Sequence, residues 1–182
     1  PGEVFSRERL TESTKAINDR LGNEGYAFAN ANAAPRIDKD KREVAFTIMV
    51  DPGRRVYVRR INIAGNTKTR DEVIRREMRQ LEGAYYDNSK IQQSRRRIDR
   101  TQYFDEVTVD TQPVPDSADQ VDVNYTIKEK PTGAMLIGAG ISSTERFVVQ
   151  GSISQSNIFG SGKTIGAQVN SRSEEHTSEL QS

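Results

Sequence analysis

The stretch QVDVNYTIK (residues 120–128) alternates Val121, Val123, Tyr125 and Ile127 with polar side chains. A period of two is the mark of a strand that buries one face. The stretch EVAFTIMV (43–50) repeats the pattern through Val44, Phe46, Ile48 and Val50. An acidic turn precedes each strand, at Asp38–Lys41 in one case and Pro115–Asp119 in the other. Each turn follows another expected strand, near Ala29–Ile37 and Glu106–Pro113, and each of those follows an expected helix. Both units close on proline and glycine, Pro52–Gly53 and Pro131 with Gly133. The chain is therefore organised by an internal repeat.

Outward from these strands, the first helix carries Leu10, Thr14, Ile17 and Leu21 on one stripe, with Ser6 as N-cap and Gly22 and Gly25 ending it. The second unit is complete. Tyr57, Ile61 and Ile63 are expected on one strand face, followed by a turn at Gly65–Asn66. Thr69 and Glu72 have the spacing of a capping box, and Ile74, Met78 and Leu81 predict a helix over Asp71–Leu81 ending at Gly83. A second helix, Asn88–Thr101, is anchored by Ile91 and Ile98, and Tyr103 and Phe104 lead into the next strand. The order is β-α-α-β-β, an α+β unit with helices packed on a three-stranded sheet. The first unit lacks the opening strand and first helix, so the chain is expected to begin inside a domain.

Composition narrows the chemistry. Of 182 residues 34% are hydrophobic, and no apolar run approaches the roughly 18 residues of a bilayer-spanning helix. Cysteine is absent, which excludes disulfides, thiol catalysis and zinc–thiolate sites. The one histidine, His176, lies in a terminal stretch, Arg172–Ser182, that reads as the in-frame translation of a sequencing adapter and is set aside. The remainder has no histidine, no paired acid and base, no nucleophile and no metal-ligand constellation, so neither an enzyme nor a cofactor is implied. Net charge is only +1. The basic run Ser94–Arg97 lacks the interleaved aromatics of a nucleic-acid site and is diluted by Asp99 and Glu106. It reads as a helix face with salt bridges, or as a contact for anionic lipid headgroups.

After Lys130 charge nearly disappears. In GAMLIGAGIS (133–142), Met135, Ile137, Ala139 and Ile141 share a face opposite Leu136, Gly138, Gly140 and Ser142. Phe147, Val149, Gly151 and Ile153 alternate next, then Lys163, Ile165, Ala167 and Val169. Two readings fit this pattern: the wall of a transmembrane barrel, or an antiparallel sheet with one solvated face.

Several stretches together resemble the BamA family of outer-membrane protein assembly factors across residues 1–171. They are VYVRRINIAGN (56–66), RREMRQLEG (75–83), PVP (113–115), DQVDV (119–123) and the turn NIFGSG (157–162). The resemblance implies tandem POTRA domains followed by the first antiparallel strands of a transmembrane β-barrel. Residues 1–53 would end a fourth POTRA domain, 54–130 would form a fifth, and 131–171 would open the barrel. It further implies an outer-membrane location with the POTRA domains in the periplasm, and assembly and insertion of β-barrel proteins. The expected partners are accessory outer-membrane lipoproteins, unfolded outer-membrane proteins and the lipid bilayer, with no nucleic acid. Arg75, Arg76, Arg79 and Glu82 become candidates for lipoprotein docking, Arg75 and Glu82 sharing a face if the helix persists. Leu136, Gly138 and Gly140 become candidates for pairing with a client strand, although the glycines would equally relieve crowding inside a barrel. The strands Ala29–Ile37 and Val107–Pro113 could accept extended clients at an edge, or be merely solvated. Rival readings are a two-partner secretion or translocation-assembly transporter, and a POTRA-type interaction module without a barrel.

Overall fold

The computed structural model describes residues 4–140 and 148–172. Ile141, Ser142, Phe147, and the terminal stretch from residue 173, with His176, lie outside the described residues. Helix α1 (Arg7–Asn23) starts where the Ser6 hydroxyl accepts the Arg9 amide at 3.4 Å, as the sequence predicts. Its Leu10, Thr14, Ile17 and Leu21 are half-buried. Strands β1 (Asn30–Asp38) and β2 (Glu43–Asp51) follow as an antiparallel pair, in register from Asn30 with Asp51 to Asp38 with Glu43. The Asp38 carboxylate accepts the amides of Asp40 and Lys41 and so shapes the turn between them.

The second unit holds the dense core. Strand β3 (Tyr57–Ala64) lies parallel to β5 (Gln120–Glu129), and β4 (Phe104–Pro113) runs antiparallel on the other side of β5. Val121, Val123, Tyr125 and Ile127 project from the central strand into a cluster with Val58, Ile61, Ile74, Ile91, Ile98 and Val107. Helix α3 (Asn88–Arg100), capped by the Asp87 carboxylate on the Lys90 amide, inserts Ile91, Ser94 and Ile98 into that cluster. The tertiary burial of this apolar stripe stabilises a helix too short to persist alone.

Two local expectations are corrected. A bulge between Val58 and Arg60 shifts the phase of β3. Val58, not Tyr57, therefore shares the core face with Ile61, and Tyr57 is left partly exposed. The helix expected over Asp71–Leu81 is a single turn, α2 (Asp71–Arg75), with Arg70 at its N-cap position and no side-chain cap. Thr69 does not form a capping box. Its amide donates to the Glu129 carboxylate at 2.6 Å, so that donor is already satisfied from β5.

Beyond α2 the chain is irregular but pinned. The buried Gln80 amide group donates to the carbonyls of Leu81 and Tyr85 and accepts the Asp87 amide. The buried Ser94 hydroxyl accepts the Arg79 amide at 2.8 Å and donates to the Lys90 carbonyl. These side-chain bonds satisfy backbone groups that a helical ladder would otherwise pair. Met78 stays in the core, while Leu81 is exposed.

Strands β6 (Gly133–Gly140), β7 (Val148–Gln155) and β8 (Ile165–Arg172) form an antiparallel meander. Its register sets Met135, Ile137 and Ala139 beside Ile153, Gly151 and Val149, and sets Ile153 and Gly151 in turn beside Ala167 and Val169. The result is one continuous apolar face. Met135, Ile137 and Val169 are 67%, 71% and 70% exposed, so nothing among the described residues covers it. No helix among them is long and apolar enough to cross a membrane, which does not bear on a β-barrel.

Candidate functional site

Three features of the molecule can meet a partner: the outer edge of β3, the free edges of the other sheets, and the junction between the α+β unit and the meander.

Strand β3 is an edge, and its neighbourhood shows how the fold closes that edge. Val58 exchanges backbone hydrogen bonds with Gly83 and Ala84, and Val56 accepts the Tyr86 amide. Further along, the backbone of Ile61 is met by side chains. Its amide donates to the Glu82 carboxylate at 2.8 Å, and its carbonyl accepts from the Arg75 guanidinium at 3.1 Å. Arg75 also bonds Asp71 at 2.5 Å and lies 3.6 Å from Glu82. The hydrogen bond it donates to the Asp71 carboxylate raises the Arg75 guanidinium pKa and keeps it protonated. Arg75 and Glu82 are thus neighbours, as expected, but through an irregular segment rather than a helix face. Both remain half-exposed. Beside them Tyr57 stacks on Tyr85 with centroids 4.2 Å apart, and the Arg55 guanidinium sits 3.7 Å above the Tyr85 ring.

The other basic candidates do not join this pair. Arg76 lies 3.5 Å from Glu77 and is turned toward Gly162, whose missing side chain leaves it room. The Arg79 guanidinium donates to the Met78 carbonyl. In the run 94–97, Arg97 pairs with Glu77 at 2.8 Å and Arg95 with Asp99 at 4.0 Å.

Strands β1 and β4 both lie at sheet edges. So does β6, which carries Leu136, Gly138 and Gly140. Leu136 is 61% exposed. A Cβ built at Gly138 or Gly140 would meet nothing within 4 Å. Crowding among the described residues therefore does not account for these glycines.

The junction is polar and precise. The Glu129 carboxylate, at the end of β5, accepts the Thr67 hydroxyl and the amides of Lys68 and Thr69. Partial burial raises its pKa, but the hydrogen bonds from Thr69, Thr67 and Lys68 outweigh this and hold it below the usual glutamate value. The loop so fixed receives the β7–β8 turn. Asn157 donates from Nδ2 to the Thr69 hydroxyl at 2.7 Å, and the Arg70 amide donates to the Gly160 carbonyl. A Cβ at Gly160, which has φ +68°, would lie 1.8 Å from the Lys68 carbonyl oxygen, so only glycine permits this approach. The sequence reading singled out the turn 157–162 but had no signal for Glu129, whose partners lie about sixty positions away.

The chain as a whole is thus a pair of α+β repeats joined to an antiparallel sheet. The family model described as POTRA, surface antigen variable number repeat, matches residues 1–53 and again 56–130. The chain belongs to the POTRA family. Its similar relatives are outer membrane protein assembly factors: the BamA protein of Neisseria meningitidis serogroup B is 40% identical over 164 residues, 90% of this chain and 21% of that protein. That of Nitratidesulfovibrio vulgaris is 35% identical over 161 residues, 88% of this chain and 20% of that protein. The chain thus spans about a fifth of the length of the curated relatives it matches. Among solved structures, Haemophilus ducreyi BamA lacking POTRA domains 1–3 matches with a TM-score of 0.83 and 34% identity over 94% of this chain and 32% of that one. The POTRA3–5 structure of Haemophilus influenzae BamA matches 70% of this chain and 50% of that one, with a TM-score of 0.69 and 38% identity.

Proposed function

We propose that the chain is a segment of an outer-membrane β-barrel assembly factor: the end of a fourth POTRA domain (1–53), a fifth (54–130), and the opening strands of the barrel (131–171). The observation that carries this reading is the continuous, uncovered apolar face of β6–β7–β8 directly beside a closed POTRA core. An apolar face in water favours association, whereas a barrel wall presents that face to lipid and keeps the small and polar face toward the lumen. The match to 94% of the chain in the structure that lacks only POTRA domains 1–3, against 70% in the POTRA3–5 structure, supports it.

On this reading the protein works by binding and templating, not by covalent chemistry. It sits in the outer membrane with its POTRA domains in the periplasm. An unpaired backbone amide in lipid costs several kcal/mol, so a client strand needs a partner before it leaves water. The edge of β6 at Leu136, Gly138 and Gly140 supplies that partner, while the edges of β1 and β4 hold extended clients by strand addition. Arg75 and Glu82 close the β3 edge and dock an accessory outer-membrane lipoprotein, with Arg76 and Arg79 beside them. Crosslinking a stalled client from Leu136 or Gly138, with Gln168 on β8 as control, tests the template. A higher yield from β6 is expected, and equal yields would sink it. Separately, Arg75→Glu and Glu82→Lys in the full-length protein are expected to lower lipoprotein co-purification, and unchanged recovery removes both residues from the docking surface.

A further inference from the structure

The α+β unit and the meander are joined at two separate points, and Tyr103 belongs to both. One point is covalent, the short linker Lys130–Pro131–Thr132. The Lys130 amide donates to the Tyr103 carbonyl at 3.1 Å, which pins the linker where it leaves β5. The other point is the docked β7–β8 turn. There the Tyr103 hydroxyl donates to the Gly162 carbonyl at 3.1 Å, beside the Asn157–Thr69 and Arg70–Gly160 bonds. Between the two points lies an open cavity of about 840 Å³ lined by Thr67, Thr69, Glu129, Thr132, Gln155 and Asn157. Both bodies contribute to its lining.

This arrangement has a mechanical consequence. A single three-residue linker would leave the unit free to turn, because rotation about a few backbone bonds costs little. A second attachment on the far side of a cavity removes that freedom, since any rotation must break the polar contacts of the turn. Those contacts depend on the loop 67–69, and that loop is held from β5 by the Glu129 carboxylate through three donors.

We propose that Tyr103 and Glu129 are positioning residues of a two-point clamp that sets the angle between the α+β unit and the three-stranded sheet. Opening the turn contact releases the unit to swing about Lys130–Thr132. The clamp does not depend on whether the sheet continues as a barrel, so its failure and that of the proposed function are separable. It fixes where the free edge of β4 stands relative to the free edge of β6.

The test measures that angle. In the full-length protein on a cysteine-free background, spin labels at Gln93→Cys and Lys163→Cys report across the junction. Labels at Gln93→Cys and Glu106→Cys report within the unit. Tyr103→Phe combined with Asn157→Ala is expected to broaden and shift the cross-junction distance distribution and to leave the internal one unchanged. Thr69→Val should act likewise, whereas Thr69→Ser, which keeps the hydroxyl, should retain the parent distribution. Glu129→Ala should broaden it more than Glu129→Gln, which keeps an acceptor. An unchanged cross-junction distribution in the double variant overturns the clamp. So does equal broadening of both label pairs, because the change would then be loss of fold.

Discussion

Strands β5 and β7 occupy the same place, each the middle of a three-stranded sheet, and each alternates apolar with polar side chains. In β5 the apolar residues Val121, Val123, Tyr125 and Ile127 are 0–3% exposed. In β7, Val149 and Ile153 are 39% and 58% exposed. The difference is what lies above the face. Helix α3 and the segment around Ile74 and Met78 cover β5, and burial even pushes the Tyr125 hydroxyl pKa up to about 12. Among the described residues no element covers β7. Alternation therefore selects which side chains share a face, while the neighbouring layer decides whether that face is a protein core or a surface for another medium.

Substitutions can break this contrast. Ile98→Ala should cost roughly 2–5 kcal/mol in denaturant unfolding of the α+β unit, the usual range for an emptied core site. Ile153→Ala should barely register in the same measurement, and an equal loss would mean that the β7 face is packed in solution. In the full-length protein in bilayers the order changes. Ile153→Lys should destabilise by about 2–4 kcal/mol if its face meets lipid near the midplane, whereas Gln150→Lys on the opposite face should cost far less. Similar costs would end the barrel-wall assignment of the two faces. Ser94→Ala removes the acceptor of the Arg79 amide inside the core, and should cost about 1–3 kcal/mol for a donor left unsatisfied. If the loss is negligible, the irregular segment after α2 is held by other contacts.

The smallest effect is a pH dependence at the junction. The Glu129 carboxylate is held below its ordinary value of 4.5 in the folded chain. Its contribution to stability is therefore complete above that value and is lost as pH falls through the lower folded value. Thermal unfolding should show the midpoint dropping in that acid window for the parent, with a flatter profile for Glu129→Gln. Parallel profiles would assign the acid sensitivity to other carboxylates, such as Asp122, which the hydrogen bond from Arg59 also holds low.

Much of the secondary structure was legible because it rests on local chemistry. The Ser6 cap, the Ile91–Ile98 stripe and the β5 alternation are read from near neighbours, and the structure realises each of them. The readings that failed involved competition from afar. The capping box at Thr69 lost its amide to Glu129, and the helix expected to Leu81 gave way to bonds from Gln80 and Ser94. The bulge at Val58–Arg60 moved Tyr57 off the core face, which no periodicity could announce. For the candidate site, the closeness of Arg75 and Glu82 was anticipated on the assumption of a long helix. It arises instead because both meet the backbone of Ile61.

The sequence by itself determined the repeat, the class of each unit and the two-faced character of the last three strands. These follow from side-chain period and turn chemistry, which act over a few residues. Only the tertiary structure decided that β5 is buried and β7 bare, that α2 stops after one turn, and that Glu129, Thr69, Tyr103 and Asn157 meet at one junction. Such outcomes depend on groups distant in the chain competing for the same donors and the same apolar surface, and that competition is resolved only when the layers pack.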